Sequence, residues 1–530
     1  MRQMEEVLNS ARVASSYEEG VQGIGTTTIV LTLVSIVGLG FGFLKEVVIA
    51  NYFGTQAAAD SFYAVTYYVQ IFNQLAFTGL ASAAIVPFLS QYISTHRDEV
   101  GWSCLAALGF WVTLSMLLVT GLVFLFMPRL VDWLLPKFSP AQKAMTIKLG
   151  YVMFPAVVFV SLSGITLGIL YSYQKFYTAR LAQIAFNSAI MIATFGLVSK
   201  FGMYSAALGF LLGSIVYLGI QIFSLHKNIA YRLHLDNLFP KGLKYLLRLS
   251  IPVFVTVLLA NIIGIVERYI ASGLTRGGIS ALNYSFRICG LVSMFGISLS
   301  TVVYPKMSLS AAKDDNKELE RILTEGLRLG LFLLIPGAFF ILFYRSLLIS
   351  LLFERGAFDS TSLKLTSDVL QWYVPVIVLG FVNGLLLRVL YAIHKPFYTI
   401  IVTSATVGVT VAADFLLTHF FDYEGIAMGY ALGTICSVVV GCAILKRVKG
   451  IFLGKLIAKY AGRVLLPSAG ALVSIWSMGT FLIGPNYPNG GRVGELAIGL
   501  LFYVVAFIAF SKIARIREVD LIFSRLRTPR

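Results

Sequence analysis

Residues 155–178 read PAVVFVSLSGITLGILYSYQKFYT, and residues 375–399 read PVIVLGFVNGLLLRVLYAIHKPFYT. The two stretches share a leading proline, a glycine, a Leu-Tyr pair and a lysine, each 220 residues apart, and both end in Phe-Tyr-Thr, after one inserted residue, Pro396, in the second. Glycines recur at the same spacing, as Gly209 and Gly213 and again as Gly429 and Gly433. A repeat of this length predicts that the chain is built from two copies of one multi-helix unit.

The composition places this repeat in a membrane. Hydrophobic residues make up 58% of the 530 residues and charged residues 13%, which is about half the usual charged share of a soluble protein. Soluble cores cannot bury that much apolar surface, whereas a bilayer-crossing helix needs ~20 mainly apolar residues. The apolar runs predict fourteen spans, at about 26–50, 61–89, 102–127, 147–171, 179–199, 204–225, 249–271, 281–304, 329–353, 369–391, 397–418, 425–444, 464–484 and 494–511. The expected fold is an all-α integral membrane protein.

The spacing of the repeat fixes the predicted organisation. It carries spans 4 and 6 onto spans 10 and 12, so the two six-helix lobes have the same orientation in the membrane, with two further helices at the C-terminal end. The predicted parts are a cytoplasmic segment (1–25), an N-lobe (26–226), a basic linker (227–248), a C-lobe (249–445), an interfacial amphipathic segment (446–463), spans 13 and 14 (464–511) and a basic tail (512–530).

Positive charge gives the orientation. The chain has 42 Lys and Arg against 25 Asp and Glu, a net charge of +17. The basic residues concentrate in loops on the side of the N-terminus, above all in 227–248, 306–328 and 446–463, which predicts that both termini are cytoplasmic. No soluble basic domain is present, so nucleic acid is not an expected partner. The four cysteines lie in apolar segments without metal-site spacing, and no catalytic motif occurs, so neither a metal cofactor nor an enzyme is expected.

Basic residues inside the predicted spans point to an anionic ligand. Ionisable groups are costly in a bilayer and usually face a cavity or a partner. Lys45 and Arg268 each adjoin a glutamate, Glu46 and Glu267, so mutual pairing near a helix end is the alternative for both. Two further arginines, Arg287 and Arg388, have no acid beside them. Since a guanidinium can grip a phosphate through two parallel hydrogen bonds, these residues predict a site for a pyrophosphate.

Three acids carry the remaining expectations. Asp60 opens span 2, where helix capping and ligand contact are both consistent with its position. Asp414 lies deep in span 11 without a base near it in sequence, and Glu267 belongs to the same lobe. A hydrogen-bonded core carboxylate and a ligand for a coupling monovalent cation are equally compatible with Asp414; in the second case Glu267 would complete the site.

Several motifs, taken in order, resemble those of MurJ/MviN proteins over essentially the whole chain. They are Gly42-Phe43-Leu44-Lys45-Glu46, Ile49-Ala50-Asn51-Tyr52-Phe53-Gly54, Ala59-Asp60-Ser61-Phe62-Tyr63, Val86-Pro87-Phe88-Leu89-Ser90, Asn283-Tyr284-Ser285-Phe286-Arg287 and Arg388-Val389-Leu390. The resemblance implies a flippase of the multidrug/oligosaccharidyl-lipid/polysaccharide superfamily that acts in the bacterial inner membrane on an undecaprenyl-pyrophosphate-linked saccharide. It also implies that the lipid tail lies along spans 13 and 14. A monomer is expected.

The resemblance also assigns site residues. Lys45, Glu46, Asp60 and Arg287 occupy positions of the family pattern, whereas Leu39 and Asn73 stand where relatives carry arginines. The predicted substrate-binding set is Lys45, Glu46, Asp60, Asn73, Arg268, Arg287 and Arg388, with Asp414 and Glu267 for a coupling ion. Because of these departures, both lipid II and an exopolysaccharide repeat unit are compatible as cargo.

Two other classes of membrane protein are less consistent with the sequence. An ion-coupled small-molecule or multidrug exporter of the same superfamily should have an acidic or apolar cavity and twelve spans, which the span arginines and the fourteen runs disfavour. A membrane enzyme such as a glycosyltransferase needs a larger loop or a cytosolic catalytic domain. The sequence contains no loop long enough for either.

Overall fold

The computed structural model describes residues 34–76, 84–94, 98–229, 237–482 and 492–520. Helices joined by short turns make up this part of the chain, and it contains no strand. In chain order the helices are α1 (Val34–Phe53), α2 (Ala57–Gln74), α3 (Val86–Ser94), α4 (Asp98–Leu134), α5 (Pro140–Met153), α6 (Ala156–Ser172), α7 (Phe176–Phe201), α8 (Tyr204–Ile229), α9 (Lys241–Ala271), α10 (Gly278–Ala312), α11 (Asn316–Phe353), α12 (Ser360–Ala392), α13 (Phe397–Lys449), α14 (Leu453–Leu482) and α15 (Arg492–Ile513). The predicted all-α membrane fold is confirmed. The predicted N-terminal segment (1–25) lies outside the described residues.

Eleven helices in the described ranges are long and apolar enough to cross a membrane, or twelve when α5 and α6, bent by 43°, count as one span. The helix α13 contains a break at Asp422, and predicted spans 11 and 12 lie on its two sides. Predicted span 2 includes residues 77–83, outside the description, so the number fourteen stays a prediction.

The helix surfaces are apolar as well as the interiors. Leu125, Trp133, Ile192 and Phe195 are each more than 70% exposed. In water such an exposed apolar surface would cause aggregation, whereas the hydrocarbon of a bilayer solvates it well. Helices are suited to that environment because they satisfy their own backbone hydrogen bonds.

The repeat has a structural signature at two turns. Gln174 and His394, 220 residues apart, have φ values of 58° and 56° and end α6 and α12. In both turns the next lysine donates its backbone N–H to the leucine five residues earlier, at 2.8 Å and 3.0 Å, an arrangement that closes many helices. Gly202 and Asp422 form a second pair, with ψ angles of −134° and −133° at φ values of 53° and 49°. The two copies therefore turn in the same way at matching positions.

A first compact unit contains the described residues of Met1–Ile49, Val69–Phe126 and Leu149–Phe254. Its core joins α3, α4, α6, α8 and the start of α9 through Trp102, Leu170, Leu225 and Leu243 and their buried neighbours. Glycines let α8 lie against α7: Gly209 faces the backbone of Ile190 closely enough that a β-carbon would collide with it.

A second unit contains the described residues of Ala50–Tyr68, Met127–Lys148 and Val255–Arg530. Here α10, α11, α12 and α13 pack side by side, and α14 and α15 pack against α11. The unit is larger than the predicted C-lobe because it also contains the described residues after 445 and two segments of the predicted N-lobe, 50–68 and 127–148. Buried polar contacts join the first of these segments to the C-lobe. Tyr284, for example, donates its hydroxyl to the carbonyl of Gly54 at 3.0 Å.

The predicted interfacial segment (446–463) is divided between two helices. Its first residues complete α13, which ends at Lys449, and α14 begins at Leu453 and continues into predicted span 13. Residues 453–460 are therefore the first turns of a long helix.

Candidate functional site

A buried and a partly buried carboxylate, those of Asp414 and Glu267, lie in the second unit. Asp414, on the first half of α13, is fully buried, and neither of its oxygens has a hydrogen-bond partner in the described chain. Glu267, near the end of α9, lies within electrostatic reach of Asp414 and has one buried oxygen, Oε1, without a partner. A buried carboxylate without a hydrogen bond is costly unless it binds a proton or a cation. These two predicted ion-site residues are therefore brought together.

Glycines bring the second half of α13 close to this pair. Gly429 faces Asp414, and Gly433 faces Thr410, in each case with no room for a β-carbon. Thr410 lies one turn before Asp414 and its buried hydroxyl has no hydrogen-bond partner in the described part of the chain. Asp414 and Thr410 thus offer oxygen atoms without hydrogen-bond partners in the described chain, and oxygen is the ligand type that hard cations prefer. Thr410 was absent from the sequence prediction, although its spacing of four residues from Asp414 places both on one helix face.

Arg268 belongs to this ion cluster in the structure. Its Nη1 lies 3.6 Å from Oε2 of Glu267 and donates to the carbonyl of Gly264 at 3.0 Å. The guanidinium carbon lies 3.6 Å from the centre of the Tyr67 ring on α2, and the Tyr67 hydroxyl donates to the carbonyl of Asn261 at 3.0 Å. The sequence is compatible with Arg268 either binding the cargo or pairing with Glu267. The observed geometry corresponds to the pairing.

Lys45 and Glu46 form an ion pair in the first unit. Lys45 Nζ lies 3.0 Å from Glu46 Oε1, and the side chains are only 10% and 1% exposed. Burying two charges carries a desolvation cost, which their mutual attraction at this distance offsets in part. The contact matches the pairing alternative, and Lys45 still presents a buried positive charge on α1.

Arg388 lines a cavity of about 340 Å³ in the second unit, formed by α10, α12 and α13. Its half-buried side chain has one buried nitrogen, Nη1, without a partner in the described chain. The cavity wall also includes Phe286, Cys289, Gly290, Ser293, Gly296, Ile297, Ser300, Tyr373, Val376, Ile377, Gly380, Phe381, Gly384 and Tyr430. Since no acid lines this space, an anion is the charge-complementary ligand.

Arg287 is exposed on α10, directly after Phe286 of the cavity wall. Phe286 packs edge-on against Tyr373 and Tyr430, with ring centres 5.8 Å and 6.1 Å away, and this packing fixes the local side-chain direction of α10. Asn73 is exposed on α2.

Asp60 has a different environment from the one expected. The residue is buried; Oδ2 accepts the N–H of Gly277 at 2.7 Å, and Oδ1 accepts the N–H and hydroxyl of Ser280 at 2.8 Å and 2.7 Å. The carboxylate thus satisfies free N–H groups at the start of α10, where negative charge is favoured. Asp60 and Ser280 are 220 residues apart, so corresponding positions of the repeat meet. The repeat spacing was the signal that could have identified this contact.

Relatives extend over most of the chain. A probable lipid II flippase MurJ of Treponema pallidum is 25% identical, over 90% of this chain and 93% of the relative. A solved structure, "Lipid II flippase MurJ, inward closed conformation", aligns with a TM-score of 0.79 at 24% identity, covering 93% of this chain and all of that chain.

A broader likeness concerns the fold alone. An inward-facing multidrug resistance MATE family transporter of the MOP superfamily aligns with a TM-score of 0.65 at 15% identity, covering 77% of this chain and 94% of the other. The family model described as "Lipid II flippase MurJ" matches residues 49–486, most of both units. The chain belongs to the MurJ family.

Proposed function

We propose that this protein moves lipid II, or a related polyprenyl-pyrophosphate-linked saccharide, across the bacterial inner membrane by alternating access. The observation that carries the proposal is Arg388, which lines a cavity with no acid among its described wall residues and whose buried Nη1 has no hydrogen-bond partner in the described chain. Membership of the MurJ family supplies the cargo class. The protein acts as a transporter and not as an enzyme.

The pyrophosphate is the part of the cargo that the arginines recognise. Arg388 on α12 contacts it from inside the cavity, and Arg287 on α10 presents a second guanidinium beyond Phe286. Two planar forks can hold a dianionic group through several charge-assisted hydrogen bonds. The likeness to a multidrug transporter concerns the fold alone. The positive charges of Arg388 and Arg287 favour an anionic lipid over an organic cation as the cargo.

A monovalent cation bound by Asp414, Glu267 and Thr410 drives the cycle. Asp414 has no hydrogen-bond partner in the described chain and lies within electrostatic reach of Glu267, so the two carboxylates repel each other and a bound cation relieves this repulsion. Asp414 and Thr410 supply oxygens from one helix face, and Gly429 and Gly433 let the second half of α13 pack closely against them.

The protein works as a monomer with both termini in the cytoplasm. The concentration of basic residues in 227–248 and 446–463 supports this orientation. No cofactor is needed beyond the coupling cation.

The test is binding and flipping by purified protein in vesicles. Arg388→Gln keeps a polar side chain but removes the charge, and losing a charge-assisted contact costs ~1.5–3 kcal/mol, roughly ten- to a hundredfold in affinity. Arg388→Lys should recover part of the loss. The matched control is Arg355→Gln, an exposed arginine that caps the backbone of α11 by donating to Leu351 at 2.8 Å. Equal lipid II affinity in wild type and Arg388→Gln, at equal Tm, would contradict the proposed site.

A further inference from the structure

Tyr67 of α2 packs onto one face of α9. Its ring lies against Gly264, where a β-carbon would collide with it, and its hydroxyl lies 3.0 Å from the carbonyl and 3.1 Å from Oδ1 of Asn261. Arg268 covers the ring at 3.6 Å. Asn261, Gly264 and Arg268 are spaced by three and four residues, so they form one stripe on the helix. The Tyr67 side chain therefore packs closely against this stripe of α9.

Arg268 depends on that ring. Its ion pair with Glu267 is long, at 3.6 Å, and its buried Nε has no partner in the described residues. A cation–π contact is stronger when the cation is removed from water, as it is here. The Tyr67 ring is therefore a substantial part of what stabilises the buried guanidinium.

Glu267 connects this contact with the carboxylate pair. A cation bound between Asp414 and Glu267 competes with Arg268 for the oxygens of Glu267, and it places a second positive charge near the guanidinium. Like charges in a buried site repel strongly. Cation occupancy and the Arg268–Tyr67 contact therefore oppose each other.

We propose that Tyr67, acting through Arg268, couples cation binding at Asp414 and Glu267 to the attachment of α2 on α9. The inference rests on the proposed ion site. Tyr67 is a positioning residue, since it touches neither the carboxylates nor the cargo. With the pocket empty, Arg268 pairs with Glu267 and holds Tyr67; with a cation bound, the guanidinium leaves the ring and α2 is released from α9.

The same helix has a second attachment. Seven residues before Tyr67, Asp60 accepts hydrogen bonds from the start of α10, and the spacing places both side chains on one face of α2. The cation therefore weakens the attachment of α2 to α9 directly and leaves its attachment to α10 in place.

Linkage makes the coupling measurable, because a contact that the cation weakens must in turn weaken cation binding. The experiment uses full-length protein in lipid nanodiscs and follows Tm as NaCl, LiCl or KCl replaces choline chloride. A cation that binds the folded protein raises Tm in a concentration-dependent way. Tyr67→Leu removes the ring and should lower the half-effective cation concentration on the order of tenfold, the equivalent of losing a desolvated cation–π contact.

Tyr67→Phe is the matched control. It keeps the ring under Arg268 and loses only the hydroxyl, so its half-effective concentration should stay near that of wild type. If Tyr67→Leu does not fold, Arg268→Lys, which keeps the charge but stacks less well, provides the same comparison.

The outcomes separate the two proposals. A cation effect in wild type that disappears in Asp414→Asn, together with tighter cation binding in Tyr67→Leu than in Tyr67→Phe, supports the coupling. A cation effect with unchanged or weaker binding in Tyr67→Leu overturns the coupling and leaves the ion site standing. Absence of any cation effect in wild type overturns the ion site and the coupling with it.

Discussion

Replacing Asp60 should release the start of α10 from α2. Asp60→Ala removes the acceptor of two backbone N–H groups and one hydroxyl, those of Gly277 and Ser280. Hydrogen bonds to charged groups contribute ~1.5–3 kcal/mol each, but they are not additive, and water can take over some of them once the helices part. A capping residue alone contributes ~0.5–2 kcal/mol. We expect the contact to weaken by ~2–4 kcal/mol, which would raise the separated population roughly 30- to 1,000-fold.

Cysteine reactivity measures that population. Ser61 is fully buried beside Asp60 and its hydroxyl has no partner in the described part of the chain, so Ser61→Cys reports separation with little disturbance. In a background with the four native cysteines replaced by alanine, a membrane-impermeant maleimide added outside should label this site slowly with Asp60 present and much faster in Asp60→Ala.

Asp132→Ala is the control for Asp60→Ala. Asp132 is an exposed carboxylate paired with Lys143 at 2.7 Å, and Asp132→Ala should leave the labelling rate unchanged because exposed pairs contribute little. An unchanged labelling rate in Asp60→Ala, with the protein folded, would refute the view that Asp60 holds α2 against α10.

Three further predictions follow from other contacts. Asp414→Asn should abolish dependence of flipping on the cation while Tm without cation stays the same or rises, since it removes a buried charge; flipping with undiminished cation dependence would exclude Asp414 as the ligand. Lys449 donates to Asp314 at 2.7 Å and, with its positive charge, holds the pKa of Asp314 below the ordinary 3.8. The contact therefore stabilises the folded protein above pH 3.8, and this stabilisation is lost as the pH falls through the lowered pKa of Asp314. When Tm is measured as a function of pH in the acid range, the decrease caused by protonation of Asp314 should be absent in Asp314→Asn. Finally, Lys137→Cys should react with the impermeant reagent from outside and Arg447→Cys should not; the reverse pattern would invert the proposed topology.

Much of the architecture could be read from the chain because it depends on periodic features. Apolar runs predicted the helices, and the 220-residue repeat predicted two copies of one multi-helix unit, which agrees with the matching turns at Gln174 and His394. Asp414 was identifiable since an acid deep in an apolar run is rare. These signals are local or strictly repeated.

The missed contacts are those between distant helices. Apart from the 220-residue spacing between Asp60 and Ser280, nothing in the sequence indicated that Asp60 would reach the start of α10, because a carboxylate at a helix start usually caps its own helix. Nor did sequence indicate that Tyr67 would lie under Arg268, since an aromatic residue in a span is ordinarily part of the packing. The predicted lobes differ from the compact units for the same reason: segments 50–68 and 127–148 pack by contacts that depend on the three-dimensional arrangement.

The measurement that tests the central claim most directly is transport by the purified protein. Vesicles containing wild-type protein, lipid II carrying a fluorophore on its saccharide, and a cation gradient should move the labelled head group between leaflets, whereas protein-free vesicles and Arg388→Gln protein should move little. Parallel vesicles with a polyprenyl-pyrophosphate bearing another glycan repeat unit define the cargo. Movement of lipid II at the rate of protein-free vesicles, by folded wild-type protein in either gradient direction, would contradict the account.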